Sequence, residues 1–167
     1  MNIFLVGLMG SGKSFWAKKL STSLNIPAFD LDIEIEKLEG KTVAAIFETK
    51  GEDYFRLAEN KVLKNFSQKN NFVLATGGGT ACFYDNMEWM NKNGITIWID
   101  DSPEIIAERL KKEKAHRPLI ASIYDEHLTD FLVEMREKRK PFYAQSTYRF
   151  TNNFTEKDIL TAITAHE

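Results

Sequence analysis

The sequence predicts an α/β protein, a three-layer αβα sandwich whose central parallel sheet of about five strands is covered by helices on both faces. Three observations point there. Short apolar runs of strand length alternate with segments of helical period along most of the 167 residues, which is the trace that parallel strands with helical crossovers leave in a sequence. The first run feeds directly into a glycine-rich turn and then a helix. The length suits one hydrophobic core, so residues 1–167 are read as one domain, with no linker, repeat or low-complexity tract.

Ile3 to Val6 is the first strand, continuously apolar as a strand buried on both faces must be. Trp16, Leu20 and Leu24 then repeat at helical spacing, and the helix they define ends near Asn25 and Pro27. If the backbone is extended after Phe29, Asp30 and Asp32, two apart, fall on one face of it. Beyond this point the alternation breaks. Ile33 to Leu38, Val43 to Phe47 and Tyr54 to Phe66 each read as a helix, punctuated by Gly40 and Gly51, so residues from about 32 to 66 are expected to form a helical subdomain. Phe72 to Ala75 and Ile95 to Ile99 are further buried strands, closed by Gly77-Gly78-Gly79 and by Asp100-Asp101, with a helix carrying Met87 and Met90 between them. Ser102 and Pro103 open the next helix, a hydroxyl cap followed by a ring whose missing N–H costs nothing there. From about 112 to 124 the chain has charge, Pro118 and no strong period, which suits a mobile lid. A helix from about Asp125 is expected to stop at Pro141, Tyr148 to Thr151 is the last strand, and Thr155 with Asp158 caps a final helix.

Composition removes several classes of function. Hydrophobic residues make up 43% and charged residues 28%, ordinary values for a globular protein. Lys and Arg total 22 against 24 Asp and Glu, a net charge of -2 with no basic block to track a nucleic-acid backbone, so nucleic acid is not an expected partner. The single Cys82 excludes an intramolecular disulfide, reads as a small buried hydrophobe and fits a reducing compartment. The apolar run before Gly7 is too short for a signal-peptide core or a membrane span, so a cytoplasmic protein is expected, and no apolar stripe argues against a monomer.

The stretch "GLMGSGKS" at 7–14 satisfies G-x-x-x-x-G-K-[ST]. Its glycines let successive backbone N–H groups turn toward an anion, and the start of the following helix adds its positive end. Gly10, Ser11, Gly12, Lys13, Ser14 and Phe15 are therefore the expected nucleotide contacts, with Lys13 reaching the β and γ phosphates and the Ser14 hydroxyl available to Mg²⁺. The loop identifies a nucleoside-triphosphate site, with Mg²⁺ as cofactor, but not what receives the γ-phosphate. Phosphoryl transfer is mostly positioning and charge neutralisation, so carboxylates and arginines are the residues to look for. Of Asp30 and Asp32, one can hold the metal's waters while the other accepts a hydroxyl proton; alternatively Asp32 only caps the helix from Ile33. Six arginines stand against sixteen lysines. Arg56, flanked at helical spacing by Glu52 and Glu59, is either a guanidinium held for a ligand or part of a surface ion-pair row. Arg117 precedes Pro118 in the lid, and Arg139 stands just before "KPFY".

Taken together, "GLMGSGKS", "DLD" at 30–32, "FETKGEDYFRLAE" at 47–59, Gly77 to Gly79, "RPLI" at 117–120 and "RKPFY" at 139–143 follow one another in an order and at intervals that resemble the shikimate kinase family, over nearly the whole chain. The resemblance implies a fold of the P-loop kinase type and transfer of the γ-phosphate of ATP to the 3-hydroxyl of shikimate, a step toward chorismate and the aromatic amino acids. It implies that Lys13 and Ser14 serve the nucleotide and Mg²⁺, that Asp30 lies in the metal's outer shell, and that Asp32 binds substrate hydroxyls and is the base. By the same resemblance Arg56 and Arg139 grip the shikimate carboxylate, Gly77, Gly78 and Gly79 line the substrate's other side, and Arg117 neutralises the phosphate in flight. Phe47 and Phe55 match apolar wall positions, and Arg109 falls near a basic residue that the family packs against adenine. "TNNFTE" at 151–156 departs from the family's adenine loop, so no contact is assigned there. Two other readings share the phosphate loop: a kinase resembling gluconate kinase, which would not need two arginines for a ring carboxylate, and a nucleotide-binding switch module without an acceptor pocket.

Overall fold

β1 (Asn2–Val6) lies in the middle of a parallel sheet of order β2-β3-β1-β4-β5, completed by β2 (Ala28–Asp30), β3 (Phe72–Ala75), β4 (Ile95–Asp100) and β5 (Tyr148–Thr151). These elements come from a computed structural model, which describes residues 1–114 and 118–166. Ile3 to Val6 are all fully buried, as a central strand covered on both faces requires, and each such aliphatic side chain contributes roughly 1.5–3 kcal/mol of burial.

Alternation along the strands sorts their side chains into two cores. Ile3, Leu5, Val73, Ala75, Ile97 and Ile99 face α1 (Lys13–Leu24) and α8 (Glu156–Thr164), through Ala17, Leu20, Ile159 and Ile163. Phe4, Val6, Leu74 and Trp98 face the opposite way, toward α2 (Leu31–Glu39), α3 (Val43–Asn65), α4 (Asn86–Asn93), α5 (Pro103–Glu113) and α7 (Asp125–Tyr143). The three layers predicted from the sequence are these.

Local chemistry sets the helix ends. Ser102 caps α5 through Ile105 N–H, and Thr155 with Asp158 forms a reciprocal capping box on α8. Asn25 closes α1 in the left-handed conformation.

Several expectations need correction. The cap of α2 is Asp30, whose carboxylate accepts from the N–H groups of Asp32 and Ile33; Asp32 lies inside the helix, so the capping alternative for Asp32 falls away. The two helices expected between Val43 and Phe66, by contrast, are present: α3 consists of two helical segments that meet at a kink at Gly51, whose φ of 81 and ψ of 173 are not helical. Pro141 does not stop α7, which continues to Tyr143. So near the C-terminus the ring removes one N–H from the ladder, and Ala144 N–H still bonds Lys140 O. The expected lid at 112–124 contains the end of α5 and a short helix α6 (Pro118–Ala121), and Ile120 is buried in the core. Arg117 lies outside the described residues. Cys82 is half-buried against the core, and burial pushes its thiol up to about 11.

Candidate active site

The carboxyl ends of β2, β3 and β1 deliver the site. In register, Asp30 stands beside Ala75 and Ala75 beside Leu5, so the chain segments that follow, led by Leu31, Thr76 and Val6, emerge along one edge. β1 and β3 are neighbours whose connections leave in opposite directions, from β1 to β2 at one edge and from β3 to β4 on the other side of β1, and this is where open α/β sheets bind ligands. A cleft of about 870 Å³ occupies the position, lined by the phosphate loop from Met9 to Trp16, Asp30, Asp32, Thr76 to Gly78, Arg109 and Phe154.

The phosphate loop has the backbone its motif demands. Gly10 and Gly12 have φ of 74 and 91, the left-handed region that a side chain disfavours. Gly12 is the N-cap of α1, no side chain caps the first turn and no acidic residue stands in it, so the helix presents its positive end to the cleft. Lys13 is buried, and its ammonium donates to the carbonyl oxygens of Gly7 at 2.8 Å and Leu8 at 2.7 Å, folding across the loop. The Ser11 hydroxyl is buried with no hydrogen-bond partner. Ser14 donates its hydroxyl to Asp30 Oδ2 at 2.7 Å, which joins the loop to the end of β2.

Asp32, half-buried at the start of α2, turns a carboxylate oxygen, Oδ1, into the site with no hydrogen-bond partner. Its carboxyl is pushed up to about 6, first by burial and then by the negative charges of Asp30 and Glu59, against the pull of Lys13. A carboxylate so tuned can take a proton near neutral pH.

Two arginines meet at the triple glycine from different helices. Arg56, on α3, is buried; its Nη1 donates to Glu59 Oε1 at 2.9 Å, its Nε donates to Glu52 Oε1 at 3.3 Å, and the Phe83 ring lies 4.2 Å from its guanidinium. A Cβ on Gly79 would stand 2.5 Å from Arg56 Nη2, so only glycine leaves room for the guanidinium. Arg139, on α7, brings a buried Nη1 without a partner to 3.0 Å from where a Cβ on Gly78 would be. Arg56, Gly79 and Arg139 do not line the cleft itself but stand behind it, joined to it through Gly77 and Gly78. The surface-row alternative for Arg56 is therefore excluded: the side chain is buried and faces the turn.

Some expected residues sit elsewhere. Phe47 and Phe55 stack on each other at 4.6 Å and belong to the core beneath the turn rather than to the lining of the cleft. Phe15 is exposed at the rim and packs edge-on against Trp16, which in turn meets Phe154. Other residues carry no label in the sequence. Asp101, buried, holds Arg109 at 2.6 Å while Arg109 donates to Gly10 O at 3.2 Å. Asp100 receives both Arg136 and Arg149. Tyr143, fully buried, donates its hydroxyl to the Gly78 carbonyl, and burial pushes its ionisation up. Among the described residues no group of three or more His, Cys, Asp or Glu side chains gathers as a metal site.

The shikimate kinase family model matches residues 9–166. A shikimate kinase of Bacteroides thetaiotaomicron is 42% identical over 150 residues, spanning 90% of this chain and 86% of that protein. The chain belongs to the shikimate kinase family. Solved members of the family superpose on it. The crystal structure of the shikimate kinase from Bacteroides thetaiotaomicron has a TM-score of 0.88 at 38% identity, covering 99% of this chain and 96% of that one. The shikimate kinase from Acinetobacter baumannii in complex with shikimate has a TM-score of 0.89 at 32% identity, covering 99% and 94%.

Proposed function

We propose that the protein transfers the γ-phosphate of ATP to the 3-hydroxyl of shikimate, giving shikimate 3-phosphate and ADP, in the route to chorismate and the aromatic amino acids. The observation that carries this reading is the meeting of Arg56 and Arg139 at Gly77 to Gly79, next to a partnerless Asp32 oxygen and beside the phosphate loop, since a Cβ on Gly78 would stand 3.1 Å from Met9 N. A small acid with several hydroxyls needs cationic donors for its carboxylate, an acceptor for a hydroxyl, and a phosphate donor in line with it. Family membership and the shikimate-bound relative support the same acceptor.

In this reading the amides of Gly10 to Phe15 receive the β and γ phosphates, and Lys13 exchanges its bonds to the Gly7 and Leu8 carbonyls for phosphate oxygens. The Ser14 hydroxyl and the Asp30 carboxylate, 2.7 Å apart, are hard oxygen donors of the kind Mg²⁺ takes, Ser14 directly and Asp30 through the metal's waters. When bound there, Mg²⁺ neutralises charge that develops on the β and γ phosphates. Arg56 and Arg139 hold the shikimate carboxylate, and the backbone of Gly77 to Gly79 lines the ring. Asp32 orients the 3-hydroxyl and accepts its proton as the oxygen bonds to the γ-phosphorus and the bond to ADP breaks. Arg117 supplies charge to the phosphate in flight, an assignment that rests on the "RPLI" motif. The acceptor region is then about 32–66, on α2 and α3, within one domain of residues 1–167 whose lid is about 112–124. A cytoplasmic monomer acting on ATP and shikimate, without nucleic acid, completes the proposal.

A gluconate-type acceptor would leave both arginines without a carboxylate on a rigid ring, and a switch module would have no use for the buried clamp. Coupled ADP release measured with shikimate, quinate, gluconate and no acceptor separates the readings. Turnover that rises sharply with shikimate is expected; equal turnover with and without it would overturn the kinase reading.

A further inference from the structure

Four hydrogen bonds connect the acceptor arginine to residues that nothing in the proposed chemistry uses. Arg56 donates to Glu59 Oε1 at 2.9 Å, and Thr80 donates its hydroxyl to the other oxygen, Glu59 Oε2, at 2.6 Å. Asn86 Nδ2 donates to the Thr80 carbonyl at 2.9 Å, and Asn60 Nδ2 donates to Asn86 Oδ1 at 2.7 Å. Glu59, Thr80 and Asn86 are each fully buried. Thr80 also closes the glycine turn, its N–H donating to Gly77 O at 3.2 Å.

Burying a carboxylate and two polar side chains costs stability unless every group is paired, and an apolar core of the same shape would avoid that cost. Burial alone therefore does not account for this chain of contacts. What it does is geometrical. It ties α3, through Glu59 and Asn60, to the glycine turn, through Thr80, and to the start of α4, through Asn86. A Cβ on Gly77 would stand 3.0 Å from Thr80 Oγ1, 3.1 Å from Glu59 Oε2 and 3.2 Å from Asp32 Oδ1, so the chain of bonds ends where the acceptor site begins.

We propose that Thr80 and Asn86 are positioning residues for the acceptor: they fix the Glu59 carboxylate, and through it the Arg56 guanidinium, in register with the glycine turn. The inference rests on the acceptor reading given above. A planar fork aimed at a carboxylate loses affinity steeply when it rotates, so the effect falls on the acid and not on the nucleotide, whose loop makes none of these four hydrogen bonds. Thr80→Val keeps the shape and removes the hydroxyl; Thr80→Ser keeps the hydroxyl and removes the methyl.

Steady-state kinetics of the purified enzyme, varying shikimate and ATP separately, test this. Thr80→Val is expected to raise the KM for shikimate about tenfold, with the KM for ATP unchanged. Thr80→Ser restores the wild-type value to within about twofold. Asn60→Ala, at the half-buried end, shifts the KM for shikimate in the same direction by less and serves if Thr80→Val does not fold. A wild-type KM for shikimate in both Thr80→Val and Asn60→Ala, or equal changes in the shikimate and ATP constants, would overturn the positioning role. A wild-type enzyme with no shikimate-dependent turnover would instead overturn the acceptor reading, so the two failures are distinguishable.

Discussion

Gly79→Ala isolates the arginine clamp better than any change to the arginines themselves. Gly79 has φ of -95 and ψ of -9, a conformation open to alanine, so the substitution adds no backbone strain. The added Cβ would meet Arg56 Nη2 at 2.5 Å, Nη1 at 2.7 Å and Cζ at 2.8 Å. Restoring ordinary contact at 3.4 Å means moving the guanidinium by about 0.9 Å. That group has nowhere easy to go: Glu59 and Glu52 hold its edges, and the Phe83 ring lies over its face at 4.2 Å. A misplacement of about 1 Å in a charged clamp costs on the order of a hundredfold, or roughly 2.7 kcal/mol. The expected result is a KM for shikimate raised about a hundredfold with the KM for ATP within about twofold of wild type, read in a coupled ADP assay. Gly40→Ala, at a position with φ of 66 and nothing within 4 Å of the added atom, controls for general loss of stability. A Gly79→Ala enzyme with the wild-type KM for shikimate would refute the placement of Arg56 at the acceptor.

Arg139→Ala should raise the KM for shikimate by at least about tenfold while leaving the KM for ATP in place; an unchanged shikimate constant in the same assay would remove Arg139 from the clamp. Because the Asp32 carboxyl stands at about 6, turnover should fall as pH drops through that value, while Asp32→Asn should be inactive across the range. The same displacement fixes a stability effect. Between the ordinary carboxyl value of 3.8 and about 6 the folded state holds a proton that the unfolded chain has lost, so ionised Asp32 costs stability that appears as pH rises through this window. Asp32→Asn should therefore be more stable than wild type at pH 8, by at most about 3 kcal/mol, and no more stable at about pH 3. Urea unfolding at both pH values checks this, and a variant less stable than wild type at pH 8 would contradict the raised carboxyl.

Much of this could be read before any coordinates. The strands were legible because Ile3 to Val6 and Phe72 to Ala75 are apolar without interruption and Ile95 to Ile99 is broken only by Thr96, a pattern that burial on both faces produces. The phosphate loop was legible because its glycines, lysine and serine are tied by covalent spacing to one turn. Helix interruptions were legible in part: Gly51 does kink α3 where the sequence placed a break, whereas Pro141 falls where the ladder is already ending and does not stop α7. For Asp30 and Asp32, sequence alone left open whether Asp32 caps a helix or serves the site, because the outcome depends on where β2 ends, and the cap is Asp30. The supports of the site were least legible. Thr80 and Asn86 lie far in sequence from Arg56, and an amide or hydroxyl in "GGGTACFYDN" looks like any surface residue until the fold buries it; Tyr143 is one turn from Arg139 on α7, but nothing in the sequence says that its hydroxyl meets Gly78.

In the proposed reaction two guanidinium groups fix one carboxylate in front of the phosphate donor. Comparing kcat/KM for shikimate and for its methyl ester tests that clamp, since the ester keeps every ring hydroxyl and exchanges the anionic carboxylate for a neutral group one methyl larger. A fall of at least about a hundredfold for the ester is expected. An ester phosphorylated as efficiently as the acid would contradict the claim.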